Sequence, residues 1–331
     1  MDTIFLQKPT ERLHLQAGQL ICKDGDEIQE VYPLASTEQV LVYGNSQITT
    51  QALKECLKEG IRVLYFTSYG KYLGRLEPDY PKNINRRINQ YKLTVDQERC
   101  LKWSRSLLYS KLQGCLIELR RLSEQGYTLP CKQLRCELKR NQKRLLSAGD
   151  LEELRGIEGH SAKLYFSIFP AVLPAWCNWT GRNYHPPKDT VNLLLSLIYG
   201  CCASELRKIC ELHSLDTHCG YLHRPCYGGG GLPYDLLESV RATLCDHFVL
   251  TFINKEAERI QEKVLHEGAL PELHDTLREK ACTQFRLSLH ITHGKQQQTP
   301  LHLLRTLVEE TVRGLNDESY IPDYGQIHPL R

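Results

Sequence analysis

Acidic side chains, one histidine and one arginine in the second half of the sequence are the residues best suited to chemistry. Asp235, Glu238 and Arg241 follow one another at intervals of three, which places them on one face of a helix. Glu158 lies within the string GIEGH, and His223 ends the string CGYLH. Side chains of these types transfer protons, bind metal ions and contact phosphates. These five residues are therefore the candidates for a functional site.

Each candidate also has an ordinary structural explanation. The helical face that carries the two acids and Arg241 is typical of a surface ladder of ion pairs. Glu158 either pairs with a nearby arginine such as Arg155 or belongs to a site. His223 precedes a run of glycines, where a core or capping histidine is the usual occupant. Residue types and spacing alone leave both explanations open.

Several well-known catalytic motifs are absent from the sequence. It contains no HExxH, GxSxG, Walker or GxGxxG string and no CxxC pair. The glycine run at residues 228–231 has no Lys-Ser/Thr after it, which predicts a flexible connection and not a phosphate cradle. One further group could hold zinc as a structural scaffold, although its spacing matches none of the usual zinc arrangements. That group is His213, His218, Cys219, His223 and Cys226.

Length and composition indicate a globular protein of two domains. The chain has 331 residues, of which 24% are charged and 41% hydrophobic, and these values exclude extended disorder. No apolar run reaches the ~18 residues of a membrane span, and the first residues lack the features of a secretory signal. With fourteen cysteines and no such signal, we expect reduced thiols in a cytoplasmic protein that has no membrane partner.

Positive charge is concentrated in one segment, although the formal net charge is only +3. Residues 86–145 contain fifteen Lys and Arg against five Asp and Glu, a net charge of +10, so the remainder of the chain carries −7. This concentration is typical of proteins that bind a phosphate backbone. A solvated basic helix face has the same pattern, so charge alone does not decide between the two.

The predicted elements change from strands to helices near residue 80. Runs rich in Val, Leu and Tyr predict strands at about residues 12–21, 29–34, 39–44 and 60–70. A threonine cap opens a predicted helix at residues 48–60. Two prolines then mark a linker at about residues 77–85.

Beyond the linker, the apolar residues recur with a period of 3.6. This period predicts helices at residues 86–125, 132–146, 189–213, 233–267 and 300–314. It also predicts a further helix, which is capped by Asp150 and Glu153. The predicted fold class is α+β. A small β-rich N-terminal domain, residues 1–80, is followed by a larger all-α C-terminal domain, residues 81–331.

Four strings in the helical half resemble, in order and spacing, the signature series of the adaptation integrases of CRISPR systems. These are RGIEGHSAKLYF, PPKDTVNLLLSLIYG, GYLH and DLLESVR. The N-terminal half is also similar to this first-numbered family of CRISPR-associated proteins, through the strings IFLQKPTERLHLQAGQLI, QVLVYGNSQITTQAL and GIRVLYFTSYGKYLGRL. The resemblance extends from about residue 3 to the closing YIPDYG. It departs from the family at Lys111, which lacks a following Asn-Gln pair, and at residues 270–293.

The resemblance implies a catalytic metal ion. Matched motif by motif, the metal ligands of the family fall on Glu158, His223 and Glu238, which are therefore the implied catalytic residues. Asp235 is implied as a close neighbour of the ion or as an alternate ligand. The implied cofactor is Mn²⁺ or Mg²⁺, since carboxylates are hard oxygen ligands and an imidazole favours Mn²⁺.

The resemblance also implies contacts with DNA. Arg241 stands where the family has a basic residue that contacts phosphate, and Tyr165 and Asn192 fall on positions that support the site. The basic segment would hold the DNA backbone without reading bases. Four of its residues are assigned to this contact: Lys139, Arg140, Lys143 and Arg144.

The activity that the resemblance implies is insertion of captured DNA fragments into a CRISPR repeat array. The 3′-hydroxyl of the fragment attacks a phosphodiester of the repeat, and attack by water would give endonuclease activity from the same site. The implied partners are double-stranded DNA (prespacer and repeat), a second copy bound through the β-rich domain, and a small ferredoxin-like adaptation protein. A non-catalytic nucleic-acid-binding protein of the same system and a zinc-structured scaffold are the alternatives.

Overall fold

Strands form most of the chain up to residue 76, and helices form most of it from residue 84. The computed structural model describes residues 2–76, 83–183, 187–223, 231–257, 275–292 and 298–326. The chain divides into two compact units, Met1–Lys82 and Asn83–Arg331. The predicted α+β class, with a β-rich N-terminal region before a helical C-terminal region, is confirmed.

The N-terminal unit contains two four-stranded sheets and one α-helix in its described part. Its strands are β1 (Asp2–Leu6), β2 (Glu11–Gln16), β3 (Gln19–Asp24), β4 (Glu27–Pro33), β5 (Thr37–Tyr43), β6 (Gln47–Ile48), β7 (Arg62–Phe66) and β8 (Tyr72–Leu76). Helix α1 (Thr50–Lys58) begins after Thr49, whose hydroxyl accepts a hydrogen bond from the amide of Ala52, so the predicted threonine cap is confirmed.

Alternation of side chains builds the core of this unit. The first sheet has the order β1-β5-β7-β8, with β1, β5 and β7 parallel and β8 antiparallel, and the second has the order β4-β3-β2-β6. Val40 and Val42 of β5 join a cluster with residues of β2, β3 and α1, while Leu41 and Tyr43 belong to a second cluster. Successive side chains of a strand point to opposite faces, so one strand supplies both clusters.

The prediction of one strand at residues 12–21 is wrong. β2 and β3 form an antiparallel hairpin whose turn is Ala17-Gly18, with φ of +50° and +74°. Tight hairpin turns that match the twist of the strands require positive φ at both central residues. The sequence did not indicate this turn because alanine seldom adopts positive φ.

The described part of the C-terminal unit is a helical assembly. Its helices are α2 (Ile84–Val95), α3 (Gln97–Glu124), α4 (Cys131–Ser147), α5 (Leu151–Phe166), α6 (Phe169–Val172), α7 (Thr190–Leu212), α8 (Leu232–Val240), α9 (His247–Lys255), α10 (Asp275–Ser288) and α11 (Pro300–Asn316). A π-helical segment, Arg241–Asp246, joins α8 to α9. None of the helices described here is long and apolar enough to cross a membrane.

Two of the predicted helices differ from the observed ones. The helix predicted at residues 86–125 is two helices, because Asp96 leaves helical geometry and its carboxylate accepts the amide of Arg99 at 3.0 Å. The helix predicted at 233–267 contains the π segment and is described only as far as residue 257. A helix, α10, occupies the region where the resemblance was poor. Of the predicted linker, residues 77–82 lie outside the described part of the chain.

The predicted cap of α5 is confirmed. The carboxylate of Asp150 accepts the amide of Glu153 at 2.8 Å, and Glu153 Oε2 accepts the amide of Gly149 at 2.8 Å. The second bond reaches one residue further back than in the usual capping box. Together they fix the start of the helix that carries Glu158, and α3 packs against both α5 and α8.

Candidate active site

Two carboxylates from different helices meet at one ammonium group. Glu158 of α5 and Glu238 of α8 both contact Nζ of Lys111 in α3, and the distance from Nζ to Glu238 Oε2 is 2.6 Å. The side chains of Lys111 and Glu238 are 9% and 6% exposed, and that of Glu158 is 27% exposed. The fold therefore brings together two acids that are far apart in the sequence.

Arg241 holds the other side of Glu238. Its guanidinium forms an ion pair with Glu238 Oε1 and lies over the ring of Tyr199, 4.6 Å from the ring centre. Burial by itself would raise the pKa of Glu238, but Arg241 and Lys111 lower this pKa below its usual value. Burial by itself would lower the pKa of Lys111, but the carboxylates of Glu238 and Glu158 raise it. Both groups are therefore charged at neutral pH.

Asp235 holds the segment that carries His223. Its buried carboxylate accepts the backbone amides of Tyr221, Leu222 and His223 at 2.6, 3.0 and 3.2 Å. His223 Nδ1 lies 2.6 Å from Asp235 Oδ1 and donates to it, since a carboxylate only accepts. This hydrogen bond raises the pKa of His223 in spite of its partial burial. The imidazole is thereby oriented, and Nε2 is left for another contact.

Two glycines allow this close approach. A Cβ on Gly220 would collide with the carboxylate of Asp235, and a Cβ on Gly231 would collide with the backbone of Thr217 and His218. The predicted flexible connection thus has one residue, Gly231, at which the absence of a side chain lets two segments touch. The rest of that glycine run lies outside the described residues.

We expect Asp235→Ala to destabilise the metal-free protein by about 3–5 kcal/mol, because three backbone amides and an imidazole lose their acceptor. Chemical unfolding followed by circular dichroism measures the loss. Asp317→Ala is the control, since Asp317 is exposed, and a surface change of this kind should cost no more than about 1 kcal/mol. A similarly small loss in Asp235→Ala would show that this carboxylate does not hold the segment.

Tyr165 lines the same small cavity as Glu158. It is buried and lines a cavity of about 30 Å³ together with Lys111, Glu158, Arg241 and Asp246. Within the described part of the chain, its hydroxyl has no hydrogen-bond partner. Tyr165 is therefore a neighbour of the meeting point, separated from it by the cavity.

Asn192 lies at the start of α7, where its side chain fixes the preceding segment. Its amide nitrogen donates to Gly181 O at 2.9 Å and to Asp189 Oδ2 at 2.6 Å. Its amide oxygen accepts from Arg182 at 2.8 Å and from the amide of Asn183 at 3.0 Å. Its hydrogen bonds are thus used within this segment, and the structure does not bring Asn192 to the carboxylates.

The sequence did not indicate Lys111, Tyr199 and Asp246 as site residues. Lys111 had one available signal, because it interrupts the apolar positions Leu108, Leu112 and Cys115 on the buried face of α3. Asp246 had none, since its position depends on the π segment. Burial raises the pKa of Asp246 to about 7, and Tyr199 donates its hydroxyl proton to this carboxylate.

The four basic residues assigned to DNA form the basic face of α4. All four are exposed, while Leu138 and Leu145 on the opposite side of the helix are buried. Arg140 also lies 3.4 Å from Glu137. The basic face is Lys139, Arg140, Lys143 and Arg144.

The donor groups suit a divalent cation, although they do not form a ready-made cluster. Among the residues that the structure describes, no three His, Cys, Asp or Glu side chains are grouped as metal ligands. Glu158 and Glu238 nevertheless converge on one cation, that of Lys111. Glu238 Oε2 is buried and lies 2.6 Å from Nζ of this lysine. The alternative zinc group includes Cys226, which lies outside the described residues.

Solved structures with the same fold cover nearly the whole chain. A casposase bound to integration product has a TM-score of 0.75 at 21% identity, covering 98% of this chain and 94% of that one. A Cas1 protein from Thermotoga maritima has a TM-score of 0.74 at 19% identity, with 97% and 99% covered. A chain of a Cas6-RT-Cas1–Cas2 complex has a TM-score of 0.73 at 20% identity, with 99% and 36% covered.

Sequence comparison identifies the family. The relative named CRISPR-associated endonuclease Cas1 4, from Methanospirillum hungatei, is 32% identical over 255 residues, 77% of this chain and 71% of the relative. CRISPR-associated endonuclease Cas1 3 from Thermus thermophilus is 32% identical over 244 residues, 74% and 71% of the two chains. The family model described as CRISPR associated protein Cas1 matches residues 4–286. The chain therefore belongs to the Cas1 family of CRISPR-associated proteins.

Proposed function

We propose that this protein is a metal-dependent DNA integrase that inserts captured fragments into a CRISPR repeat array. The convergence of Glu158 and Glu238 in a chain of the Cas1 family carries this proposal. Relatives named CRISPR-associated endonucleases and the fold shared with a casposase bound to integration product support it. The 3′-hydroxyl of the fragment attacks a phosphodiester of the repeat, forms a new P–O bond and displaces the 3′-oxygen of the repeat strand, which leaves as a hydroxyl. Water in place of the attacking hydroxyl breaks the same bond and gives endonuclease activity.

Glu158, Glu238 and Nε2 of His223 would hold the ion, Mn²⁺ or Mg²⁺. When bound, it supplies neutralisation of phosphate charge and a lower pKa for the attacking hydroxyl. Asp235 orients the imidazole through Nδ1, which fixes the direction of Nε2. The contacts of Asp235 with three backbone amides favour this orienting role over that of an alternate ligand.

Phosphate contacts are assigned to two regions. Arg241 would contact the phosphate at the reacting end, and the ion pair of its guanidinium with Glu238 supports this role. The basic face of α4 holds the DNA backbone without reading bases. Tyr165 supports Glu158 across the small cavity, and Asn192 acts at a distance by fixing the segment before α7.

The proposed assembly contains DNA and other protein chains. Two copies pair through the β-rich unit, residues 1–80, and a small ferredoxin-like adaptation protein joins two such pairs in the cytoplasm. The fold shared with a chain of the complex named Cas6-RT-Cas1–Cas2 supports an assembly of this kind. The helical unit, residues 81–331, then carries both catalysis and DNA binding.

A strand-transfer assay tests the proposal. The purified protein is mixed with a duplex that ends in a 3′-hydroxyl and with a supercoiled plasmid that carries a repeat. We expect joined products with Mn²⁺ or Mg²⁺ and none after chelation of the metal, because the phosphate charge is then no longer neutralised. Equal joining with and without chelator would contradict metal dependence. DNA binding without joining in any metal would favour a non-catalytic binding protein.

A further inference from the structure

We propose that Lys111 is a built-in counter-cation, which occupies the meeting point of Glu158 and Glu238 and must leave it before a metal ion can bind. The inference deepens the proposed function and rests on it, because it concerns the same two carboxylates. It adds a competitor to the site, which lowers the affinity for the metal ion and stabilises the metal-free protein.

Lys111 contacts both of the proposed carboxylate ligands. Its ammonium is the group that both Glu158 and Glu238 touch, and its side chain is only 9% exposed. Arg241 pairs with Oε1 of Glu238, so a metal ion that takes Glu238 as a ligand approaches Oε2, the oxygen atom that Lys111 contacts. The ammonium and the ion therefore compete for one position.

Lys111 also balances the negative charge of the two carboxylates. Glu158 and Glu238 contribute two negative charges, and Lys111 and Arg241 contribute two positive ones, so the group is neutral without a metal ion. Two adjacent carboxylates in a poorly solvated place repel each other strongly. Lys111 removes this repulsion for both acids. A divalent ion added beside an unmoved Lys111 would give a net charge of +2 in a buried place, which is costly.

A cavity beside Lys111 offers space for its displaced ammonium group. It measures about 30 Å³ and is lined by Lys111, Glu158, Tyr165 and Asp246. That volume holds about one water molecule, so a small shift of an ammonium group into it meets no steric barrier. The Tyr165 hydroxyl and the Asp246 carboxylate are acceptors along its wall. A displaced Lys111 ammonium would thus find acceptors along the cavity, and the Asp246 carboxylate, which the balance above does not count, would offset part of its charge there.

Removal of the Lys111 charge tests the inference through metal affinity. The full-length Lys111→Met variant should bind Mn²⁺ at least tenfold more tightly than the wild type in isothermal titration calorimetry. Its metal-free melting temperature should fall, since the two carboxylates repel, and saturating Mn²⁺ should raise that temperature more than in the wild type. Unchanged or weaker binding of Mn²⁺ by this variant would overturn the inference.

Lys208→Met is the matched control. Lys208 is a buried lysine of α7 whose side chain is 7% exposed and pairs with Glu205 of the same helix at 2.5 Å. This variant should lose thermal stability but keep the Mn²⁺ affinity of the wild type. If its affinity for Mn²⁺ rises as much as that of Lys111→Met, the effect is not specific to Lys111 and the inference fails.

Two further measurements separate the outcomes. If the wild type binds no Mn²⁺, or if Glu158→Gln binds Mn²⁺ as well as the wild type does, the proposed metal site is wrong. If Lys111→Met does not fold, Lys111→Arg decides, because a guanidinium bonds both carboxylates more firmly than an ammonium does. We expect Lys111→Arg to bind Mn²⁺ several-fold more weakly than the wild type. Equal or tighter binding would overturn the inference.

Discussion

Replacement of Glu158 by glutamine is expected to lower the rate of strand transfer by about three orders of magnitude, or about 4 kcal/mol of activation free energy. The amide keeps the shape of the side chain but removes the negative charge that the proposed metal ion requires. DNA affinity should change little, because the proposed DNA contacts lie on other residues. Strand transfer is measured at saturating DNA, and affinity by fluorescence anisotropy.

Glu124→Gln is the control for this variant. Glu124 ends α3, is exposed, and pairs with Arg120 at 2.7 Å. The control makes the same chemical change at the surface and should leave both measurements unchanged. Full strand transfer by Glu158→Gln would remove Glu158 from the chemistry. A parallel loss of DNA affinity would instead assign Glu158 a role in holding the DNA surface.

Neutralisation of the basic face of α4 is expected to lower DNA affinity at least 100-fold at about 0.1 M salt. The reason is that binding releases fewer counterions from the DNA when phosphate contacts are lost. Changing all four residues to alanine should reduce the log–log salt slope by roughly three to four, at about 0.9 per contact. The rate of strand transfer at saturating DNA should change much less, because the carboxylates are untouched. Anisotropy titrations over a range of salt concentrations measure both quantities.

A second variant, also with four substitutions, controls for net charge. It replaces exposed basic residues outside α4 by alanine and so removes the same charge from other surfaces. Its affinity should fall by much less and its salt slope should change little. Equal losses in the two variants would mean that total charge, and not the face of α4, binds the DNA. The control residues are Lys54, Lys71, Lys188 and Arg305.

The sequence predicted the fold where local preferences decide it. Runs rich in Val, Leu and Tyr indicated β5 and β7, and a period of 3.6 indicated α4, α7 and α11. It failed where one residue redirected the chain. Asp96 divides the helix predicted at residues 86–125, and Ala17 takes a turn conformation that alanine rarely adopts. Single caps and turns change a boundary without changing the periodicity around them, so the pattern does not reveal them.

For the site, the sequence determined which side chains are present and, through its motifs, the family to which the chain belongs. It assigned Glu158 and Glu238 to one site on the likeness of their strings alone. Only the tertiary structure decided that both acids meet at Lys111, and that Asp235 holds His223. The reason is physical. Such contacts join helices that are distant along the chain, and their energies depend on burial and on neighbouring charges, which appear only when the helices pack.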